Sequence, residues 1–279
     1  MTKKKFPWKK VITSIIAWIF GLIWIIPFLG ILMASIRPQR ELIHGWWRMD
    51  EVTISFTNFL NAWNHPTAPM GEGIKNSMIV TIPATILPLI IGTLAAYGLM
   101  RLKFPGRKLI LVGIVLLLSI PQQMVAVPLF QTLLDFKILN TYLGLIIVHT
   151  AWGIIWITIF MRNYLTTLPP EVEEAASLDG ANRFQIFTKI ILPLSLPGLA
   201  SVAALQFTWV WNDFFMALIT IFNPDKLVAT QRIPLLKGQF NVDWGVLSAA
   251  SLITTAIPLF IFVLLQKYYV KGLIGWTSK

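Results

Sequence analysis

A chain of 279 residues with 56% hydrophobic and only 13% charged side chains reads as a membrane protein, not as one or two soluble domains. With no cysteine there is no disulfide framework and no thiolate metal site, and the scattered His44, His65 and His149 do not make a metal cluster. The formal charge of +11 invites a nucleic-acid reading until its distribution is counted.

Apolar windows of about twenty residues mark bilayer crossings. The first runs from about Val11 to Met33, behind Lys3, Lys4, Lys5, Lys9 and Lys10. It exceeds the roughly 7–15 residues of a signal-peptide core, and no small-residue cleavage site follows, so a retained span is expected. Residues 34–74 form a polar loop with Trp46, Trp47 and Trp63, a residue type that favours the membrane–water boundary. The second span covers about Lys75 to Met100 and carries Pro83 and Pro88; the basic turn RLKFPGRK follows. The third, about Leu109 to Phe130, contains Pro121-Gln122-Gln123 and Pro128, and the fourth runs from about Tyr142 to Met161. After a mixed-charge stretch at 168–193, the fifth span occupies about Leu194 to Phe222 and includes WVWNDFF. The last covers about Gly245 to Gln266. The expectation is an all-α membrane protein, a single transmembrane domain over residues 1–279 with six helices. Prolines recurring within the spans suit helices that bend between two states.

Charge sets the orientation. Fifteen of the 23 Lys and Arg fall at the N-terminus, in the 101–108 turn, in 162–192 and in the tail; eight fall in the alternate loops. The acids divide four to seven the other way, with Asp213 inside a span. By the positive-inside rule both termini and the 168–193 stretch face the cytoplasm. The basic excess is thus topology and attraction to anionic lipid. No aromatic-and-basic interleaving of the RNA-binding kind accompanies it.

Residues 168–193, LPPEVEEAASLDGANRFQIFTKIILP, have the signals of two short helices with a bend between them. Pro169 and Pro170 stop one helix and can open the next. Glu171, Glu173 and Glu174 suit the positive end of the helix dipole. Gly180 can take the left-handed conformation that ends a helix. Asn182 with Gln185 reads as a capping box for a second helix through Phe184, Phe187 and Ile190, closed by Pro193. Each helix is far below the ~20 residues needed to cross a bilayer, so on local grounds this is a surface hairpin joining two spans.

Glu174-Ala175-Ala176, three residues, Gly180, nine residues, Ile190, one residue and Leu192-Pro193 resemble in full the EAA signature of permease subunits from ATP-binding-cassette importers. RLKFPGRK, IPQQMVAVPLF, TWVWNDFFMAL and DWGVLSAASLITTAIPLFIFVLLQKYYVKGL are similar to the second, six-span permease of carbohydrate importers of the maltose and glycerol-phosphate kind. The resemblance implies a type I importer permease fold whose cytoplasmic coupling-helix loop, with Glu173, Glu174, Ala175, Ala176, Asp179 and Gly180, docks in an ATPase. It implies as partners a second, different permease, two ATP-binding subunits and an extracytoplasmic solute-binding protein, in a bacterial or archaeal cytoplasmic membrane. The chain has no G-x-x-x-x-G-K-[ST] loop, catalytic triad or metal pair. It is therefore expected not to be an enzyme and to hold no cofactor, ATP and Mg being bound by the partner ATPase. Family members often carry Glu where this chain has Asp213, and the tail KGLIGWTSK departs from the commoner ending.

An ionisable group inside a span usually faces a cavity or a partner. Asp213, with Asn212, Trp209 and Trp211, combines the hydrogen-bonding and aromatic groups that bind sugars, and the resemblance places this part of the fifth span on the substrate pathway. Asp213 equally suits a structural anchor that pairs with a neighbouring helix or caps a broken turn. Gln122 and Gln123 can satisfy carbonyls freed by Pro121 or reach substrate. His149 is read as hydrogen-bonded between helices, since no acid in its own span accompanies it. A permease for another solute shares the loop but matches the flanks less well. A secondary transporter would show an internal repeat or paired intramembrane charges, and neither is seen.

Overall fold

Apolar runs this long, free of water to bond their backbones, fold as helix because only helix satisfies every N–H and C=O within the segment. The computed structural model describes residues 8–50, 52–238 and 241–277. In chain order they form α1 (Trp8–Ser35), α2 (Thr57–Trp63), α3 (Met70–Arg101), α4 (Arg107–Leu118), α5 (Ala126–Asp135) and α6 (Tyr142–Leu165). Then come α7 (Glu171–Leu178), α8 (Arg183–Leu194), α9 (Leu196–Asn212), α10 (Phe215–Thr220), α11 (Ala229–Leu235) and α12 (Trp244–Thr277). Among the described residues the extended pairing is one isolated bridge, Lys237 with Val242.

Among the described residues four stretches are long and apolar enough to cross a membrane: Lys10–Ser35, Met70–Arg101, Tyr142–Leu165 and Trp244–Lys267. Two helix pairs pass the same test together but are bent, α4 with Gln122–Asp135 at 96° and α8 with α9 at 72°. Six spans are reached by counting each pair as one. The third predicted span, about 109–130, is thus not a single helix. The helix ends at Leu118, ahead of Pro121, which is itself extended (φ −62°, ψ 137°); proline offers no N–H and disfavours the helical region for the residue before it. The fifth, about 194–222, stops at Asn212; Asp213 is extended (φ −67°, ψ 130°) and the short α10 follows. Pro193 does not close the second short helix. α8 passes through it by a π-type stretch at Phe187–Ile191 and breaks at Ser195, the wider turn accommodating a residue without a donor.

Two compact units make up the chain. The first combines Met1–Met70 with Ile233–Ile253. Here α1 is apolar on all sides and almost wholly exposed, as suits a helix solvated by lipid. Arg37, buried at the end of α1, donates through Nε to Glu41 Oε2 (2.9 Å) and through Nη1 to the carbonyls of Trp46 (3.1 Å) and Arg48 (2.8 Å). Burial works to raise the Glu41 carboxyl, but hydrogen bonds from Thr53 and Arg37 outweigh it and hold it below its ordinary value.

The second unit combines Gly71–Arg232 with Thr254–Lys279. One buried cluster joins α3, α6 and α9 to α8 through Ala96, Ile157, Met161, Leu165, Ile186, Phe187, Ile191 and Val202. Pro88 and Pro258 lie in unbroken helices. A proline within a helix deprives the carbonyl four residues earlier of its donor; the carbonyls concerned are those of Ala84 and Thr254. Gln206 Nε2 donates to Ala84 O at 3.0 Å, and Trp211 Nε1 donates to Thr254 O at 2.9 Å. Both donors come from α9.

Candidate functional site

As far as the capping box at Asn182–Gln185, the 168–193 stretch folds as its local signals require. Pro170 caps α7, and Glu171, Glu173 and Glu174 occupy the first turn. At the other end Gly180 N–H bonds Ser177 O (3.1 Å) and Ala181 N–H bonds Ala176 O (3.0 Å), the pair of bonds that defines a Schellman motif. Gly180 stands at φ +85°, which a side chain would strain. Asn182 Oδ1 accepts from Gln185 N–H and Gln185 Oε1 from Asn182 N–H, both at 2.9 Å, completing the capping box.

The loop has two faces. Inward, Ala176, Ala181, Ile186 and Phe187 pack on the α3–α6–α9 cluster, and the Phe187 ring lies 5.0 Å from that of Tyr97. Arg101, the first residue of the RLKFPGRK turn, donates through Nε to Glu173 Oε1 at 2.7 Å; its Nη2 lies equally near without hydrogen-bond geometry. Glu173 is thereby committed within the chain. Outward, Glu174, Ala175, Asp179 and Gly180 are exposed. With them stand Leu178, 89% exposed, and Phe184, 72% exposed. The loop therefore presents an acidic and apolar outer surface on a firmly seated inner one.

In the same unit an open cleft of about 640 Å³ lies along α9. Leu205, Thr208, Trp209 and Asn212 line it, spaced i, i+3, i+4, i+7 and so on one helix face. Gln122, Gln123, Asp213 and Trp156 complete the polar and aromatic wall. Five of the six residues named from the sequence for the pathway are thus brought together. Trp211 is not among them: it is 1% exposed, stacks on Phe207 at 5.7 Å and bonds Thr254. Two residues beyond Trp209, it points about 200° away around the helix. Trp156, which the sequence did not single out, takes its place. Its ring lies 6.2 Å from that of Trp209, tilted by 33°.

The side chains differ in what they have free. The amides of Gln122, Gln123 and Asn212 have no hydrogen-bond partner within the chain among the described residues. Neither glutamine takes up a carbonyl freed by Pro121. Asp213 is different. Its side chain is 8% exposed, and Oδ2 accepts from Ala217 N–H at 3.0 Å, capping α10. Thr230 Oγ1 donates to its carbonyl at 2.7 Å. His149 Nε2 of α6 stands 3.7 Å from the same Oδ2, so the acid that accompanies this histidine comes from the extended residue that follows α9.

Several helices able to cross a membrane, with an open cleft in the second unit, are the architecture of a multi-pass membrane protein. More narrowly, the chain belongs to the family of binding-protein-dependent transport system inner membrane components, whose profile matches residues 88–275. It is 55% identical over 266 residues, 95% of this chain and 96% of the relative, to a probable ABC transporter permease protein of Pyrococcus horikoshii. It is 33% identical over 276 residues, 97% of each chain, to a trehalose/maltose transport system permease protein of Thermococcus litoralis. The fold is similar, with a TM-score of 0.80, 22% identity and coverage of 96% of this chain and 99% of the other, to a solved chain of a bacterial ABC transporter involved in the import of the acidic polysaccharide alginate.

Proposed function

We propose that this permease forms one half of the pathway of a sugar importer, as a single transmembrane domain paired with a second, different permease over two ATP-binding subunits, with a solute-binding protein delivering the sugar from outside. The chain supplies path and lever, and the partner ATPase binds the nucleotide and its Mg. The charge asymmetry supports a topology with both termini and the coupling loop in the cytoplasm. The observation that carries the reading is the outer face of residues 171–184, where Leu178 and Phe184 stay exposed over an inner face that is packed and ion-paired. An exposed apolar surface rimmed by polar side chains suits contact with a protein or a membrane, and acids at its edge favour the protein. A sugar as cargo is favoured by the trehalose/maltose relative, alike along its full length, and by a cleft that combines aromatic faces with unengaged amides.

The chain contains no cysteine, so a single introduced thiol is unique. In the assembled complex, Leu178→Cys should crosslink to an ATP-binding subunit. In intact cells it should resist a membrane-impermeant maleimide until the membrane is opened. Labelling from outside, or no crosslink to an ATPase in the purified complex, defeats the proposal.

A further inference from the structure

Gln206 makes two hydrogen bonds that leave its amide one orientation. Its Nε2 donates to Ala84 O at 3.0 Å, and its Oε1 accepts from Trp156 Nε1 at 2.8 Å. A backbone carbonyl can only accept and an indole N–H can only donate, so a flipped amide would break both bonds. The residue is 2% exposed and lines, with Gly153, Trp156 and Trp209, a small cavity that shares Gln122, Trp156 and Trp209 with the cleft. Gly153 makes the arrangement possible, since a Cβ there would stand 2.7 Å from both Gln206 Nε2 and Pro88 Cβ.

One side chain therefore closes two accounts. On one side it replaces the donor that Pro88 removes from α3. On the other it fixes the indole of Trp156, which is half-buried and faces the cleft beside Trp209. We infer that Gln206 is a positioning residue that holds Trp156, with Trp209, as a preset aromatic platform in the wall of the cleft. An indole held by its N–H cannot turn about χ2 without losing that bond, so the ring face is offered at no further ordering cost when a ligand arrives. The ligand chemistry such a platform recognises is the C–H face of a pyranose. The inference deepens the reading of the cleft as a sugar path and rests on it for its consequence, not for its geometry.

The test uses the full complex in nanodiscs with 5-fluorotryptophan incorporated, the Trp156 line in the ¹⁹F spectrum being assigned by its loss in Trp156→Phe. Gln206→Met, of similar length but without either bond, should shift and broaden that line and carry the Trp209 line with it, while the Trp18 and Trp24 lines stay in place. Pro88→Ala returns a backbone donor to Ala84 O and should leave Trp156 undisturbed. Pro88→Ala with Gln206→Met should displace it as Gln206→Met alone does. If Gln206 served only to seal the proline break, the double variant would keep the wild-type line. That result overturns the inference, as does an unmoved line in Gln206→Met.

Uptake of radiolabelled maltose and trehalose by the reconstituted importer separates the second question. For whichever is carried, Trp156→Phe and Gln206→Met should each raise KM about three- to tenfold, the worth of one aromatic contact. Displaced lines with unchanged KM leave Gln206 as the positioner of Trp156 and defeat the sugar-path reading of the cleft. Uptake of neither sugar by the wild type counts against that same reading.

Discussion

Gly180→Asp is the substitution that best separates folding of the coupling loop from docking. Gly180 stands at φ +85°, and no heavy atom lies within 4 Å of the position a Cβ would take. The cost to the loop is then backbone strain alone, about 1 kcal/mol for an L-residue in the left-handed region and less for Asn or Asp, which tolerate it. That is about a fivefold change in a local equilibrium. It is too little to undo α7 while both closing hydrogen bonds, the packing of Ala176 and the Arg101–Glu173 pair remain. A carboxylate at 180 instead adds bulk and charge beside Asp179 on the exposed outer face. The prediction is that Gly180→Asn keeps most ATP-driven uptake and that Gly180→Ala loses no more than about fivefold. Gly180→Asp should abolish uptake although the permease pair still assembles and the binding protein still binds sugar. The assay is uptake by the reconstituted complex, with retention of the ATPase on the purified permease measured in parallel. Near-normal uptake by Gly180→Asp would refute the docking argument. An Asn variant as inactive as the Asp variant would refute the separation of strain from contact.

Three further outcomes follow from the geometry. Arg101→Ala removes the ion-pair partner of a part-buried Glu173 and should loosen the loop by about 1 kcal/mol, less than the ~1.5–3 kcal/mol of a charged hydrogen bond because Arg101 is itself 25% exposed; uptake per ATP hydrolysed should fall and be restored in part by the swap Arg101→Glu with Glu173→Arg. Trp211→Phe removes the indole donor from the carbonyl freed by Pro258 and should cost about 1 kcal/mol in denaturant unfolding of the detergent-solubilised chain, an effect reduced when Pro258→Ala restores the helical donor; strict additivity of the two changes would contradict the assignment. Asp213→Ala should lower uptake with assembly intact, whereas Asp213→Asn, still able to accept from Ala217 N–H, should retain most of it; failure of the Asn variant would mean that the charge itself is needed.

The coupling loop could be read almost residue by residue because its signals are local. A proline pair, three acids, a glycine and an Asn–x–x–Gln box each act within one turn, and no distant partner can overrule them. The prolines teach the opposite lesson. Pro121 breaks its span, while Pro88 and Pro258 do not, although the residue type is the same. At Pro88 and Pro258 a side chain from another helix, Gln206 or Trp211, reaches the freed carbonyl. Nothing near Pro88 in sequence announces Gln206, 118 positions later. The pathway residues were partly legible for a third reason. Composition pointed to WVWND, but helical periodicity already forbids Trp209 and Trp211 from sharing a face. Trp156 enters the cleft only through the pairing of α6 with α9, which the chain's local pattern does not encode.

That pairing also ties the two ends of the site together. α8 carries the second half of the loop and runs into α9 across a 72° bend at Ser195. Ser195 itself is buried, and its hydroxyl donates to Ile191 O at 2.6 Å. Below the bend, Ile186, Phe187 and Ile191 lock α8 against Ile157 and Met161 of α6. Above it, one face of α9 walls the cleft while Gln206 bonds Trp156, one residue before Ile157. Close-packed interiors resist continuous deformation and move as rigid pieces or not at all. A displacement of α7 and α8 that preserves these contacts must therefore carry the wall of the cleft with it. Loop and cleft wall thus meet on α6, which holds α8 through Ile157 and Met161 and α9 through Trp156.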